Sequence, residues 1–416
     1  MLKKQSLIYF YPWIVWLIAG IFYCHQYILR VSISPVADHL MQGFHINVVT
    51  LSFIAASFFY AYIIIQIFAG LVLKRYGIKS TIIIAAFMCG LGSLIIAEST
   101  STVWLFWGRG LIGAGSAFAL LISIVIARLY FSKKLFPIIN GLTISIGTIG
   151  GFLGGYPFAF YVTETSWRHV MLVAAIISFI IVLLAVFFIK HEGGATVEDV
   201  WAGQSWRDTF RMLMEVLRNK GVWLASIFAG LTFTPIAAFA GLWGVPFLHS
   251  EYQVSDLSIR LGVSMIFVGY GIGSPLIGWL SDFIAARHLM RIFSLVSCFM
   301  SVYIIYVKPD SIVTLYIIIL LLGFFLGITI LSMSYVKNQV SIEASPLAFS
   351  LVIIMISFAS AVLLPLIGEI LEHFEPRFYV NGVEEFSKHA YHVALMVIPI
   401  ALFLGFIISL FLKKSD

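Results

Sequence analysis

Tyr23, Gln26, Tyr27, Arg30 and Ser34 recur at helical intervals inside an otherwise apolar stretch, so they share one face of a helix. Such a polar face is costly against lipid and belongs against a protein interior or a water-filled cavity. Arg30 is its chemical centre. A guanidinium within an apolar run is a functional candidate by default, and its planar fork can hold a carboxylate or phosphate through two parallel hydrogen bonds. The competing reading places Arg30 near the outer end of its span, reaching for headgroups or pairing with Asp38. Arg109 is a second cation in an apolar run, with Gly113, Ser116 and Ser123 continuing its face. It suits either ordering of helices through neighbouring carbonyls or contact with a solute. A proton-coupled carrier needs a group that titrates during its cycle. His25 lies off the polar stripe and reads as a structurally satisfied histidine, while Glu369 reads as an interfacial carboxylate. No paired Asp/Glu at a spacing suited to acid–base work, no His/Cys ligand cluster and no Walker-type phosphate loop are present. An enzyme, a metal site, a cofactor and ATP-driven transport are therefore not expected.

The elements that position these residues follow from composition. The chain is 61% hydrophobic and 11% charged, with a mean hydropathy of +1.04, which points to the bilayer as solvent. Cys24, Cys89 and Cys298 sit in apolar runs without disulfide or metal spacing and read as packing residues. Stretches of roughly 20 apolar residues predict twelve spans, at 7–29, 50–73, 79–97, 102–126, 136–161, 168–189, 222–247, 260–280, 290–307, 312–336, 346–371 and 391–412. The run after Lys3 and Lys4 has no small-residue cleavage site and reads as a retained first helix. Of the 25 Lys and Arg, 18 fall on the side of the termini, which makes that side cytoplasmic. The +6 charge is thereby explained without nucleic acid. The break at 190–221 separates six spans from six, giving an N-terminal bundle (1–189), a cytoplasmic linker and a C-terminal bundle (222–416). Within the linker, Gly193-Gly194 precedes a predicted surface helix over 208–217 with Trp206, Phe210, Leu213 and Leu217 on one face. The outer loop 373–390 is polar, with Pro376 and a turn at Asn381-Gly382.

An internal repeat supports the two halves. Gly70 and Gly278 stand 208 residues apart, half of 416, in the related stretches Gly70-Leu71-Val72-Leu73-Lys74-Arg75-Tyr76-Gly77 and Gly278-Trp279-Leu280-Ser281-Asp282. Here the chain resembles the major facilitator superfamily. Arg109-Gly110-Leu111-Ile112-Gly113, the glycines at 147, 150, 151, 154 and 155 with Pro157, and Trp167-Arg168 resemble further motifs of that family, in order and in the expected spans. The resemblance implies twelve helices in two pseudo-symmetric six-helix bundles, working by alternating access, with a latch at the loop after helix two. The family has Asp where this chain has Lys74, whereas Asp282 is present in the second copy and a later glycine is replaced by Ala285. With Lys74, Arg75 and Gly77 at the first latch and Gly278 and Asp282 at the second, a weakened closed state on the cytoplasmic side is expected.

Tyr27 to Ser34 and Ser57-Phe58-Phe59-Tyr60-Ala61-Tyr62 with Gln66 resemble the organic-anion and sugar-phosphate branch. That branch has acids where this chain has Leu29 and Ser116, so its coupling scheme does not carry over. By the same resemblance helices seven and ten should line the cavity, with Thr232, Phe239 and Trp243 on one face and Gly323, Gly327, Ser334 and Asn338 on the other, and Pro235 should kink helix seven. The expectation is a monomeric inner-membrane carrier, both termini cytoplasmic, that imports a small organic anion with protons. Arg30 supplies charge, Tyr23, Gln26 and Tyr27 orient the solute, and Arg109, Trp243 and Asn338 complete the site. The alternatives are an exporter of a siderophore, drug or other amphipathic compound, and a sensor that keeps the carrier fold without moving solute.

Overall fold

The computed structural model describes residues 2–132, 135–190, 206–309, 311–341, 343–374, 377–380 and 383–413. The first seven helices are α1 (Leu2–Val31), α2 (Ile33–Phe44), α3 (Val48–Ala97), α4 (Thr102–Ser116), α5 (Ala119–Tyr130), α6 (Phe136–Glu164) and α7 (Trp167–Phe188). After the 190–206 region come α8 (Trp206–Arg218), α9 (Lys220–Thr232), a π-helical segment (Pro235–Trp243), α10 (Gly244–Glu251), α11 (Asp256–Leu280), α12 (Ala286–Tyr306), α13 (Ile312–Leu326), α14 (Thr329–Lys337), α15 (Ser345–Glu372), α16 (Lys388–Leu395) and α17 (Val397–Phe411).

Among the described residues, eleven helical stretches are long and apolar enough to cross a bilayer. One of them is two spans. α3 has 50 residues, roughly 75 Å of helix against a hydrocarbon layer of about 30 Å. It bends at Gly77, whose φ of 72° and ψ of 175° leave the helical region at a conformation that glycine adopts without steric cost. That break falls in the basic turn that the sequence marks, and it gives the twelve expected spans. Many spans begin on a side-chain cap that satisfies orphan amides: Asn47 accepts from Thr50 N, Ser166 from His169 N, Asn219 from Gly221 N and Val222 N, and Ser387 from Ala390 N.

Spans one, four, seven and ten are each interrupted. Span one breaks at Ser32, between α1 and α2; span four at Ala117-Phe118; span seven through the π segment; span ten at Gly327-Ile328. Pro235, expected to kink span seven, opens its π segment, a rare geometry associated with functional sites. Span one also differs from its expected end at residue 29, because helical structure continues to Phe44. Ser32 returns its hydroxyl to the Leu29 carbonyl (2.9 Å), so polar residues that read as loop are absorbed into helix.

Helices before residue 190 pack mainly with one another, as do those after 206, and two seams join the sets: α6 along α11, and α3 along α15. Several hydrogen bonds and ion pairs join these halves at mid-span or on the side away from the basic turns. Tyr60 Oη donates to Ala361 O (3.3 Å), Tyr156 N to Ser264 Oγ (3.0 Å), and Asn47 Nδ2 to Glu372 Oε1 (3.3 Å). Arg260 reaches Ser34 O (3.4 Å) and Asp38 Oδ2 (3.9 Å). On the basic side, a Cβ added at Gly70 or Gly278 would meet nothing within 4 Å. These ties hold the halves together on the side away from the basic turns.

The outer loop holds a small antiparallel hairpin, Arg377–Val380 with Val383–Phe386, in the register Arg377↔Phe386 and Val380↔Val383. Pro376 and the expected turn residues Asn381 and Gly382 lie outside the described residues, as do Gly193 and Gly194 of the linker. The expected surface helix is α8, with Phe210, Leu213 and Leu217 exposed on one face; the side chain of Trp206 lies outside the described ones.

Candidate functional site

Arg30 is not at a span end. It stands 14 residues before Phe44, the end of a span that begins at Phe10, which places it about 20 Å along the helix from the outer terminus. Nor does it pair with Asp38, whose carboxylate faces Arg260. Instead its guanidinium sits among four rings: Tyr27 (4.9 Å to the centroid), Tyr62 (5.4 Å), Phe58 (5.5 Å) and Phe59 (5.9 Å). Ring quadrupoles attract a cation without neutralising it. No carboxylate lies within ion-pair distance of Arg30 among the described residues, and its Nε is buried without a hydrogen-bond partner.

Arg109 explains the break in span one. It is 1% exposed, donates to the carbonyls of Leu29 and Arg30, lies 3.5 Å from Ser32 Oγ, and stacks on Phe58 at 5.1 Å. Interrupting the helix at Ser32 leaves carbonyls short of partners, and Arg109 supplies donors for two of them. The main chain that carries Arg30 is therefore held from span four.

Both arginines line one small space with Tyr27, Phe59, Phe233, Phe267 and Leu364, drawn from both halves. Its volume is about 20 Å³ for the centre of a water molecule, room for roughly one water, so an organic solute enters only with movement of the rings or the halves. Tyr23 packs edge-on to Tyr27 (5.3 Å). Gln26 and Gln66 are buried at 1% and 3%, each with Oε1 unpartnered among the described residues. Tyr23, Tyr27 and Arg30 follow one another along α1 in ring contact, Tyr23 on Tyr27 and Tyr27 under the Arg30 guanidinium. The stretch around Phe58 and Tyr62 stands out in the sequence for its family resemblance, which does not identify its rings as the wall around Arg30; aromatic residues at i, i+1 and i+4 opposite a lone arginine are the available signal.

Other expected members lie elsewhere. Trp243 is 2% exposed and donates Nε1 to Leu364 O (3.3 Å), joining span seven to span eleven without lining the small space. Asn338 is an exposed cap at the basic end of α14 and does not line the small space. Thr232 bonds Thr329 (3.2 Å), and Phe239 packs on Phe247 (6.4 Å). The glycine face of span ten is a correction: Gly323 and Gly327 abut the backbone of α11, where an added Cβ would lie 2.1 Å from Ile266 O and 2.6 Å from Ser274 N. They permit close helix packing and do not face a cavity. Of the titratable candidates, His25 Nε2 pairs with Ser178 Oγ (2.7 Å), while Glu369 is exposed. At the basic turns Lys74 is half-buried, Arg75 lies over Tyr76 (5.6 Å), and Asp282 is exposed with no ion pair among the described residues.

The profile of the Major Facilitator Superfamily matches residues 15–245 and again 222–416. The chain belongs to the Major Facilitator Superfamily. It is a multi-pass membrane transporter and not an enzyme. Solved structures of this superfamily resemble it over nearly all their length. A bacterial homolog of the human lysosomal transporter Spinster, in its inward-facing and unoccupied conformation, superposes with a TM-score of 0.77 at 15% identity, covering 98% of each chain. The nucleoside transporter NupG gives 0.72 at 16% identity, covering 97% of this chain and 100% of that one. These likenesses establish the major facilitator fold. In sequence, 166 residues (40% of the chain) are 26% identical to the Uncharacterized transporter YybO of Bacillus subtilis (strain 168) and span 38% of that relative's length.

Proposed function

We propose that this transporter moves a small organic anion by alternating access between an N-terminal bundle (1–189) and a C-terminal bundle (222–416) joined by a cytoplasmic linker. In this reading it acts as a monomer in the inner membrane with both termini cytoplasmic. One observation carries it: Arg30 is a mid-span guanidinium at the seam of the halves, ringed by aromatics, with no carboxylate beside it among the described residues. An anion is the partner that such a cation lacks. Tyr23, Gln26 and Tyr27 on the same face would orient the solute. Arg109 serves by fixing the backbone under Arg30, and Trp243 by tying span seven to span eleven. Membership of the organic-anion branch is supported by the resemblance of Tyr27 to Ser34 and of Ser57 to Gln66; import driven by protons is the proposed mode, and the branch's own coupling acids are replaced by Leu29 and Ser116.

The test is thermal stability of purified protein against anionic, zwitterionic and cationic metabolites, repeated with Arg30→Ala, since a ligand of the folded state raises the melting temperature by mass action. Anionic hits that vanish in the variant are expected. Hits confined to cations or lipophilic compounds, unchanged by the substitution, would replace this reading with the exporter. An anionic hit reconstituted in sealed vesicles must also move when a proton gradient is imposed; binding without flux would mark a sensor.

A further inference from the structure

The helix α8 plays no part in the site, yet its surface sorts into three strips. Met212 and Val216, one turn apart, are buried at 6% and 1% and share a core cluster with Val222, Leu331, Val336 and Ala344, at the basic-side ends of spans seven, ten and eleven. Phe210, Leu213 and Leu217 form the second strip, at i, i+3 and i+7; Phe210 is 63% exposed, and Leu213 and Leu217 keep 38% and 39% of their surface exposed. The third strip is polar. Arg211 has an 81% exposed side chain that approaches Asp208 at 3.5 Å, and Arg218 is also exposed.

The helix is fixed in place. Glu215 accepts from Ser341 N (2.7 Å) and Ser341 Oγ (3.0 Å), so its carboxylate is engaged by the protein. Asn219 donates to Gln339 O (2.7 Å), and Trp223 donates to Leu217 O (2.9 Å). Arg218 lies two residues before Lys220, the first residue of span seven, which sets the depth of the helix at the membrane boundary. A large apolar strip beside a basic one, held at that depth, has the chemistry of the headgroup–acyl boundary.

We propose that α8 is an interfacial anchor: Phe210, Leu213 and Leu217 enter the acyl boundary of the basic-side leaflet, and Arg211 and Arg218 bind the phosphates of anionic phospholipids. Through Ser341 and Asn219 the lipid contact reaches the starts of α15 and α9, the basic-side ends of two C-terminal spans.

The test uses the full-length protein in vesicles, with Cys24, Cys89 and Cys298 replaced by Ser and an environment-sensitive fluorophore placed at Phe210→Cys, Leu213→Cys or Arg211→Cys. Quenching by lipid-borne nitroxide at 210 and 213, and by aqueous iodide at 211, is expected. Equal iodide quenching at all three positions overturns the proposal, and so does protection that grows with protein density in the vesicle, which would assign the strip to a second copy. In parallel, phosphatidylglycerol is titrated into detergent-solubilised protein and retained lipid is read by native mass spectrometry. Arg211→Gln and Arg218→Gln should each weaken retention about fivefold with the melting temperature unchanged, and phosphatidylcholine retention should not respond. Equal retention of both lipids by parent and variants also overturns it.

Discussion

Arg260→Ala should open the outer side of the protein. The Arg260 side chain is 8% exposed, and its 2.6 Å bond to Asp256 lies within one helix, so that bond does not distinguish open from closed halves. Two contacts do distinguish them: Ser34 O at 3.4 Å and Asp38 Oδ2 at 3.9 Å. The Asp38 side chain is 49% exposed, so solvent screens the pair to about 0.5–1 kcal/mol. The long hydrogen bond to the Ser34 carbonyl adds about 1 kcal/mol. Losing both shifts the balance between closed and open outer states by roughly 1.5–2 kcal/mol, about 10- to 30-fold in population. Spin labels at Glu164→Cys and Val254→Cys, on the outer rims of opposite halves, read this directly as growth of a longer-distance population. Asp38→Asn removes only the screened charge and should shift the same population by about two- to fivefold. Distance distributions that are identical in the parent and Arg260→Ala, with the variant folded, would refute the assignment of these contacts as the outer tie.

Two further outcomes follow from the same geometry. Arg109→Lys can serve one of the two carbonyls at the break in span one and loses the other; a charge-assisted bond of this kind is worth about 1.5–3 kcal/mol. The melting temperature should fall while anionic hits persist in weakened form, and abolished binding with unchanged melting would instead make Arg109 a solute ligand. Lys74→Asp restores an acid at the basic turn and should favour closure there, seen as slower labelling of a cysteine at the exposed Ile138; labelling at the parental rate would remove the latch from the account.

Much of this is legible in the sequence because lipid imposes long apolar runs. Spans can be counted, and the stripe from Tyr23 to Arg30 stands out against them. Depth is harder to read. A span ending at residue 29 leaves Asp38 in a loop, and only packing reveals that Ser32 bonds its own helix and Asp38 faces Arg260. Hydropathy assigns Arg260 itself to the outer surface, although Asp256 and Arg260 at i and i+4 on a helix hint at a structured pair. Span ten misleads for another reason: Gly323 and Gly327 share a face, but small residues mark close backbone approach as readily as an open cavity, and periodicity alone does not separate the two. Asn338 continues that face on paper, yet the break at Gly327-Ile328 and the helix end at Lys337 put it beyond the site.

The seam between α6 and α11 carries a glycine on one side at each of three close approaches. An added Cβ at Gly151 would lie 2.4 Å from the Phe267 ring, one at Gly155 would lie 2.2 Å from Ser264 Oγ, and one at Gly271 would lie 2.5 Å from Thr148 Oγ1. Interlocking side chains resist rotation because they must climb out of one another's grooves. A glycine-lined seam has little to climb. For the alternating motion proposed above, such a seam would serve as a low-friction bearing, with the few polar ties beyond it as a removable catch. Bulk at any of these three glycines would seize the bearing without touching the solute.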